Sequence, residues 1–216
     1  MWTHFKKFAL LILILAAAPL VHAQKTTYPQ DQTLYDRYPW AVTYYYGWTV
    51  DNPLVRVFLL YNLTRWPENI QSLELTRTLN ENNAVRRFFS PLVGIVQVNA
   101  NVTLRNGVGE SRIYEFDPYI SWRWANLPWN HYVNTSFAIG EGISYASSVP
   151  AIERVGNDNV KRLLNYLMFE ATFAPPSYPR LQFVARIHHR SGAFGLYQAD
   201  NSGSNDIGIG IKYLFD

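Results

Sequence analysis

Eight stretches of alternating apolar and polar residues run to the C-terminal end of the chain, and this pattern constrains the fold more than any other feature. Successive side chains of a β-strand point to opposite faces, so alternation predicts strands with one apolar and one polar face. The last stretch is the most regular, because isoleucine and aromatic residues occupy every second position from Ile207 to Phe215. The predicted strands are Trp40–Val50, Ser72–Leu79, Leu92–Leu104, Arg112–Ala125, Tyr132–Tyr145, Lys161–Ala174, Leu181–Ser191 and Asn205–Phe215.

An even number of amphipathic strands of roughly 10 residues is typical of outer-membrane barrels, which are apolar outside and polar inside. The interior of an eight-stranded barrel is only wide enough to be filled with side chains. Small residues at the predicted inward positions suit such a crowded lumen: Gly140, Gly142, Gly208 and Gly210. We therefore predict an all-β protein, an eight-stranded antiparallel transmembrane β-barrel over residues 40–216 without an open channel.

Alternation alone does not distinguish the inside of a barrel from its outside. A soluble, exported, lipid-binding barrel would turn the apolar face inward around a ligand, and it stands as the alternative fold. Only 16% of the residues are charged, and the face opposite the apolar one is rich in small residues and amides. Both observations favour a packed polar lumen over a solvated surface, and hence the membrane barrel.

The first 23 residues have the features of a secretory signal peptide. Lys6 and Lys7 give a positive start, an apolar run follows over Phe8–Ala18, and the small residue Ala23 ends a cleavage site. The run is short for a transmembrane anchor. We predict a signal peptide over residues 1–23 and a polar periplasmic lead-in over residues 24–39.

Cysteine content and charge exclude several classes of function. The chain has no cysteine, so disulfides and thiolate chemistry are excluded. The net charge is +3, of which Lys6 and Lys7 supply two positive charges, so about +1 remains after cleavage and no nucleic-acid partner is indicated. No metal-ligand spacing is present, because His188 and His189 point to opposite faces of one strand. We expect no cofactor.

The seventh predicted strand carries two reactive residue types on its apolar face. Its odd positions run from Leu181 through Ile187 into His189 and Ser191. Histidine can act as a general base towards a serine hydroxyl, which is a weak nucleophile on its own. With a periplasmic N-terminus this strand runs outward, so the pair would lie at the level of the outer leaflet. The alternative is two polar residues near a strand end without a catalytic role.

The stretch His189-Arg190-Ser191-Gly192-Ala193, followed by an Asn/Gly-rich loop and a closing strand, resembles the lipid A 3-O-deacylases of Gram-negative outer membranes. These PagL-like proteins are also described as acyloxyacyl hydrolase-like. The resemblance is specific over the last 40 or so residues and architectural elsewhere. It implies a serine esterase of the outer membrane that removes an ester-linked acyl chain from lipid A of lipopolysaccharide. Ser191 would be the nucleophile and His189 the base, with the site towards the outer leaflet. A homodimer is possible.

The third member of the site is left open by the sequence. The family has a glutamate shortly after the loop, and this chain has none there. Asp206 is the nearest carboxylate, but strand parity turns it inward, whereas Asn205 has outward parity and could orient the histidine without supplying charge. The other candidates are Asp200 in the loop and Glu141 on the apolar face of strand five, and Asn201 or backbone N–H groups near Gly192 are candidates for the oxyanion.

Three further interpretations concern charged residues. His188, Arg186 and Arg190 face inward, and we expect a lumen network with acids such as Glu170 or Asp206. Arg86 and Arg87 are expected in a solvated periplasmic turn. Residues expected near the outer rim could attract lipid A phosphates: Arg112, Lys161 and Arg162. The alternative function is a non-catalytic outer-membrane barrel of the same ancestry.

Overall fold

The computed structural model describes residues 34–107, 112–125, 127–199 and 203–216, which form a closed antiparallel barrel of eight strands. Each strand pairs with the next along the chain, and the last pairs with the first, so the barrel leaves no free sheet edge. No helix in these ranges is long and apolar enough to cross a membrane. The predicted signal peptide, Asp200 and Asn201 lie outside the described residues. The strands are β1 (Trp40–Val50), β2 (Arg65–Thr78), β3 (Ile95–Asn106), β4 (Ile113–Trp124), β5 (Asn134–Ala146), β6 (Leu163–Ala174), β7 (Leu181–Ser191) and β8 (Gly203–Phe215).

Short α-helices occupy three of the connections in the described part of the chain. Helix α1 (Leu54–Phe58) lies between β1 and β2, and α3 (Ala151–Arg154) lies between β5 and β6, at the same end of the barrel. Helix α2 (Ala84–Phe89) lies at the opposite end, between β2 and β3, where Asn83 caps it by accepting hydrogen bonds from two backbone N–H groups.

The faces of the strands confirm the membrane-type barrel. Outward side chains are large and apolar and lie exposed, for example Leu73, Phe183 and Ile209. Inward side chains are mostly polar and buried, including Arg105 and Arg186. This is the reverse of what a soluble lipid-binding barrel requires, so that alternative fold is wrong. The fold is that of an outer-membrane barrel.

A network of charged side chains fills the half of the lumen nearer to α2. The Arg186 guanidinium donates to both carboxylate oxygens of Glu74, at 2.7 and 2.8 Å, and to Glu170 at 3.0 Å. Arg123 and Lys212 also donate to Glu170. These buried charges compensate one another, and the predicted packed polar lumen is confirmed.

Glycines leave room for aromatic rings in that lumen. A Cβ atom at Gly140 would lie 2.6 Å from the ring of Tyr119, and one at Gly142 would lie 2.3 Å from the carbonyl oxygen of Pro118. Tyr119 packs against Tyr166 with ring centroids 5.0 Å apart. Residues larger than glycine at these inward positions would displace the rings.

The segment that precedes β1 closes the end of the barrel at which β1 begins. Residues 34–37 form a helical turn, and Tyr35 is buried with its hydroxyl 3.1 Å from Ser136 Oγ. Arg86 of α2 donates to Asp36 and to the carbonyl oxygens of Leu79 and Gly94. The expectation of a solvated turn is therefore wrong for Arg86, which is buried because it clamps this segment to the barrel.

Strand boundaries differ from the prediction most clearly in β2. It begins at Arg65, whereas the prediction began it at Ser72 and assigned the preceding residues to a loop. Pro67 explains the error, because proline within a strand reads as loop. It lies where the pairing of β1 with β2 shifts register, between Trp48 and Val50. An irregularity of this kind tolerates a residue without an N–H donor.

Candidate active site

The seventh strand presents His189 and Ser191 on the outer wall of the barrel, near the end that holds α1 and α3. Both side chains are partly exposed, while the intervening Arg190 is fully buried in the lumen. In register, His189 lies between Leu167 of β6 and Asn205 of β8, and Ser191 lies between Asn165 and Gly203. The sheet thus brings polar side chains from three strands onto one otherwise apolar surface.

Asn205 is the residue that orients the histidine. Its Oδ1 lies 2.7 Å from His189 Nδ1, and its Nδ2 donates to the carbonyl oxygen of Asn52 at 2.9 Å. That carbonyl can only accept, so it fixes the amide with Oδ1 towards the imidazole. An amide oxygen also only accepts, so the proton of the neutral imidazole lies on Nδ1 and the lone pair on Nε2. This is the tautomer that a general base requires.

Two of the carboxylates proposed from the sequence lie within the described residues, and neither reaches the histidine. Asp206 is fully buried inside the barrel, where Arg105 donates to both of its oxygens at 3.1 and 2.8 Å. Asp206 as the orienting acid is therefore wrong, because the strand has already begun at Gly203 and its parity is inward. Glu141 lies on the outer face beside Asn165, and Leu167 separates it from His189 in the register.

Asn165 was missed by the sequence analysis. It lies directly across from Ser191 on the neighbouring strand β6 and shares the outward face. The signal was present, since a polar residue interrupts the outward series Leu163, Leu167 and Phe169. Its side-chain amide is in register with Ser191 and hydrogen-bonds the Glu141 carboxylate.

The connection that holds α1 folds down over this wall of the barrel. Val50 and Asn205 have outward parity and are nevertheless buried. Val57 of α1 is completely buried, and the ring of Phe58 packs edge-on against Phe169 of β6, with centroids 4.7 Å apart. The connection therefore covers Asn205, leaves His189 partly exposed, and adds exposed apolar side chains, namely Val55, Leu59, Leu60 and Tyr61.

The imidazole and the serine hydroxyl are neighbours without a hydrogen bond between them in the described part of the chain. Adjacent side chains on one strand face are close enough for small rotations to join them. Catalytic hydrogen bonds are often long in the free protein and tighten when substrate binds. The arrangement supplies a hydroxyl, an oriented base and an apolar approach, which together suit attack on an ester at a lipid surface.

His188 faces the lumen, as predicted, but its partner differs from those expected. Its Nε2 lies 3.3 Å from Glu115 Oε2, while Glu170, one of the two expected acids, pairs with Arg186. Glu115, Asp117 and His188 lie close enough together to hold a metal ion. Sequence spacing did not reveal this group, because it joins β4 to β7 across the lumen.

Comparison with known proteins supports the fold. No protein-family model and no curated protein match the chain. The crystal structure of the outer membrane enzyme PagL is 15% identical with a TM-score of 0.51, covering 80% of this chain and 98% of that chain. Neisserial surface protein A is 9% identical with a TM-score of 0.45, covering 82% and 96%. The attachment invasion locus protein of Yersinia pestis, Ail, is 15% identical with a TM-score of 0.37, covering 82% and 99%. At these identities the likeness concerns the fold alone.

Proposed function

We propose that the protein is an outer-membrane serine esterase that removes an ester-linked acyl chain from lipid A. The observation that carries the proposal is the alignment of Ser191, His189 and Asn205 on the lipid-facing wall, with the Asn205 amide fixed so that His189 Nε2 is the free base. Polar side chains on an apolar, lipid-facing surface cost free energy, so the residues found there usually have a function. The resemblance of the His189-Arg190-Ser191 stretch to the lipid A deacylases supports the choice of substrate.

The proposed reaction follows the logic of other serine hydrolases. Ser191 Oγ attacks the ester carbonyl carbon while His189 Nε2 takes the hydroxyl proton. The tetrahedral intermediate collapses, the imidazolium returns the proton to the departing lipid A hydroxyl, and an acyl-serine remains. Water, activated by His189, then releases the fatty acid. The oxyanion needs donors beside Ser191, and the Asn165 amide is our candidate.

Asn205 differs from a carboxylate in one respect that bears on the rate. It orients the imidazole and fixes its tautomer, but it supplies no negative charge to stabilise the imidazolium. We therefore propose a competent but slow esterase. The apolar side chains of the α1 connection would contact the acyl chain, and basic residues at the rim, such as Arg162, would attract the phosphates.

The direct test is to incubate the purified, detergent-solubilised protein with lipid A in mixed micelles. We expect lipid A to lose the mass of one acyl chain, together with an equimolar amount of free fatty acid. Mass spectrometry of the lipid and quantification of the fatty acid measure both products. Unchanged lipid A at high enzyme concentration would support the non-catalytic barrel instead.

Replacement of Asn205 tests its positioning role. Asn205→Leu should lower kcat for fatty acid release about 100-fold, because the imidazole loses its orienting acceptor. The ¹⁵N chemical shifts of the His189 ring should change from those of the Nδ1–H tautomer to those of a mixture of both tautomers. A merely structural role of Asn205 would not produce this change. Asn205→Asp, which keeps an acceptor, should retain more activity. A kcat for Asn205→Leu within twofold of the wild type would remove Asn205 from the mechanism.

A further inference from the structure

The half of the lumen nearer to α1 and α3 holds more buried carboxylates than cations. Among the described residues, those less than one-tenth exposed in this half include five carboxylates: Glu68, Glu115, Asp117, Glu153 and Asp206. Two buried guanidiniums, Arg105 and Arg190, accompany them. Five carboxylates against two guanidiniums leave a net excess of three negative charges, because Arg105 and Arg190 are each shared by more than one carboxylate. Buried charges are normally paired or bound to a metal ion.

Three of the side chains in this region converge on one point. Glu115 and Asp117 project inward from β4 and His188 from β7, and their ligand atoms all lie within 4.8 Å of one another. His188 Nε2 and Glu115 Oε2 are 3.3 Å apart, and both are buried without a hydrogen-bond partner in the described part of the chain. Two ligands on one tetrahedral zinc ion, at 2.0–2.1 Å from it, lie about 3.3 Å apart.

Neighbouring groups hold these carboxylates in place. Arg105 Nε donates to Glu115 Oε1 at 2.7 Å, while Oε2 faces His188 Nε2 and lies 4.0 Å from Arg190 Nη1 without a hydrogen bond to it. Asp117 accepts hydrogen bonds from Asn101 at 2.8 Å and from Ser144. Such outer contacts are typical of metal sites, where they orient the ligands. The Tyr166 hydroxyl is a further buried group without a hydrogen-bond partner, and its ring packs edge-on against His188.

We propose that this lumen cluster binds one divalent cation through Glu115 Oε2, an Asp117 carboxylate oxygen and His188 Nε2. A mixed imidazole and carboxylate set suits zinc and similar first-row ions better than calcium or magnesium. The ion neutralises part of the excess charge and joins β4 to β7 across the barrel. It is separate from the proposed esterase site, because His188 and His189 lie on opposite faces of β7. The inference therefore does not depend on the proposed function.

The test uses the full-length barrel, folded in detergent and stripped of metal with a chelator. We expect equilibrium dialysis against zinc, read by elemental analysis, to give one ion per chain, and added zinc to raise the unfolding temperature. His188→Gln should weaken zinc binding at least tenfold, since loss of even an outer contact costs about 10–100-fold. His189→Gln is the matched control, because it changes the neighbouring histidine on the other face, and it should bind zinc as the wild type does.

Asp117→Asn provides a second variant should His188→Gln fail to fold, and it should weaken binding similarly. Absence of zinc binding to the stripped wild type would overturn the proposal, and so would binding that survives both lumen substitutions.

Discussion

Ser191→Ala is expected to lower kcat/KM for release of the ester-linked acyl chain by about a thousandfold or more. The reason is chemical, since the side-chain oxygen is the proposed nucleophile and alanine offers none. Ser191 is partly exposed on the outer wall, so the barrel should fold as before and keep its heat-modifiable mobility in gel electrophoresis. The rate of fatty acid release from micellar lipid A at several enzyme concentrations measures the effect.

A matched control for this substitution is Ser177→Ala. Ser177 is an exposed serine in the connection between β6 and β7, at the end of the barrel opposite to Ser191. We expect its activity to equal that of the wild type. If Ser191→Ala retained more than about a tenth of the wild-type rate, water or another side chain would have to be the nucleophile.

Arg186→Met is expected to reduce the free energy of unfolding by about 3–5 kcal/mol, the usual cost of removing one partner from a buried ion pair. Arg186 lies between Glu74 and Glu170 and donates to both of them in the lumen. Methionine would leave the Glu74 carboxylate without its cation. Urea unfolding of the barrel in detergent, followed by tryptophan fluorescence, measures the change.

Two further variants separate charge from packing in this experiment. Arg87→Met replaces an exposed arginine of α2 and should change the free energy of unfolding by less than about 0.5 kcal/mol. Adding Glu74→Gln to Arg186→Met should recover part of the lost stability, because it removes the uncompensated charge. A loss of stability for Arg186→Met no larger than that for Arg87→Met would contradict the claim that the buried charges around Arg186 stabilise the barrel by compensating one another.

The alternation of residues was sufficient to predict the barrel, and strand parity was sufficient to predict which residues face outward. Parity placed Asn205 beside His189 and turned Asp206 inward, because both follow from a period of two. It also held the clue to Asn165, which was overlooked. The error in β2 came from Pro67, whose effect depends on a register shift that only the pairing of two strands reveals.

Contacts between strands that are not neighbours were beyond the sequence. Glu115 meets His188 because β4 and β7 face each other across a closed lumen, and no spacing in the chain encodes that distance. The folding of the α1 connection over Val50 and Asn205 is a similar case. A five-residue helix has too little periodicity to predict which surface it covers. The buried clamp of Arg86 depends on Asp36, which lies 50 residues away along the chain.

The most direct test of the central claim is the intact mass of the protein after reaction with a long-chain alkyl fluorophosphonate in micelles, a reagent that traps activated serines. We expect a single adduct on Ser191, located by peptide mapping. The adduct should be absent from Ser191→Ala, and it should form much more slowly on His189→Gln. No adduct on the folded wild type, or an adduct on another serine, would contradict the claim that Ser191 and His189 form an active site on the lipid-facing wall.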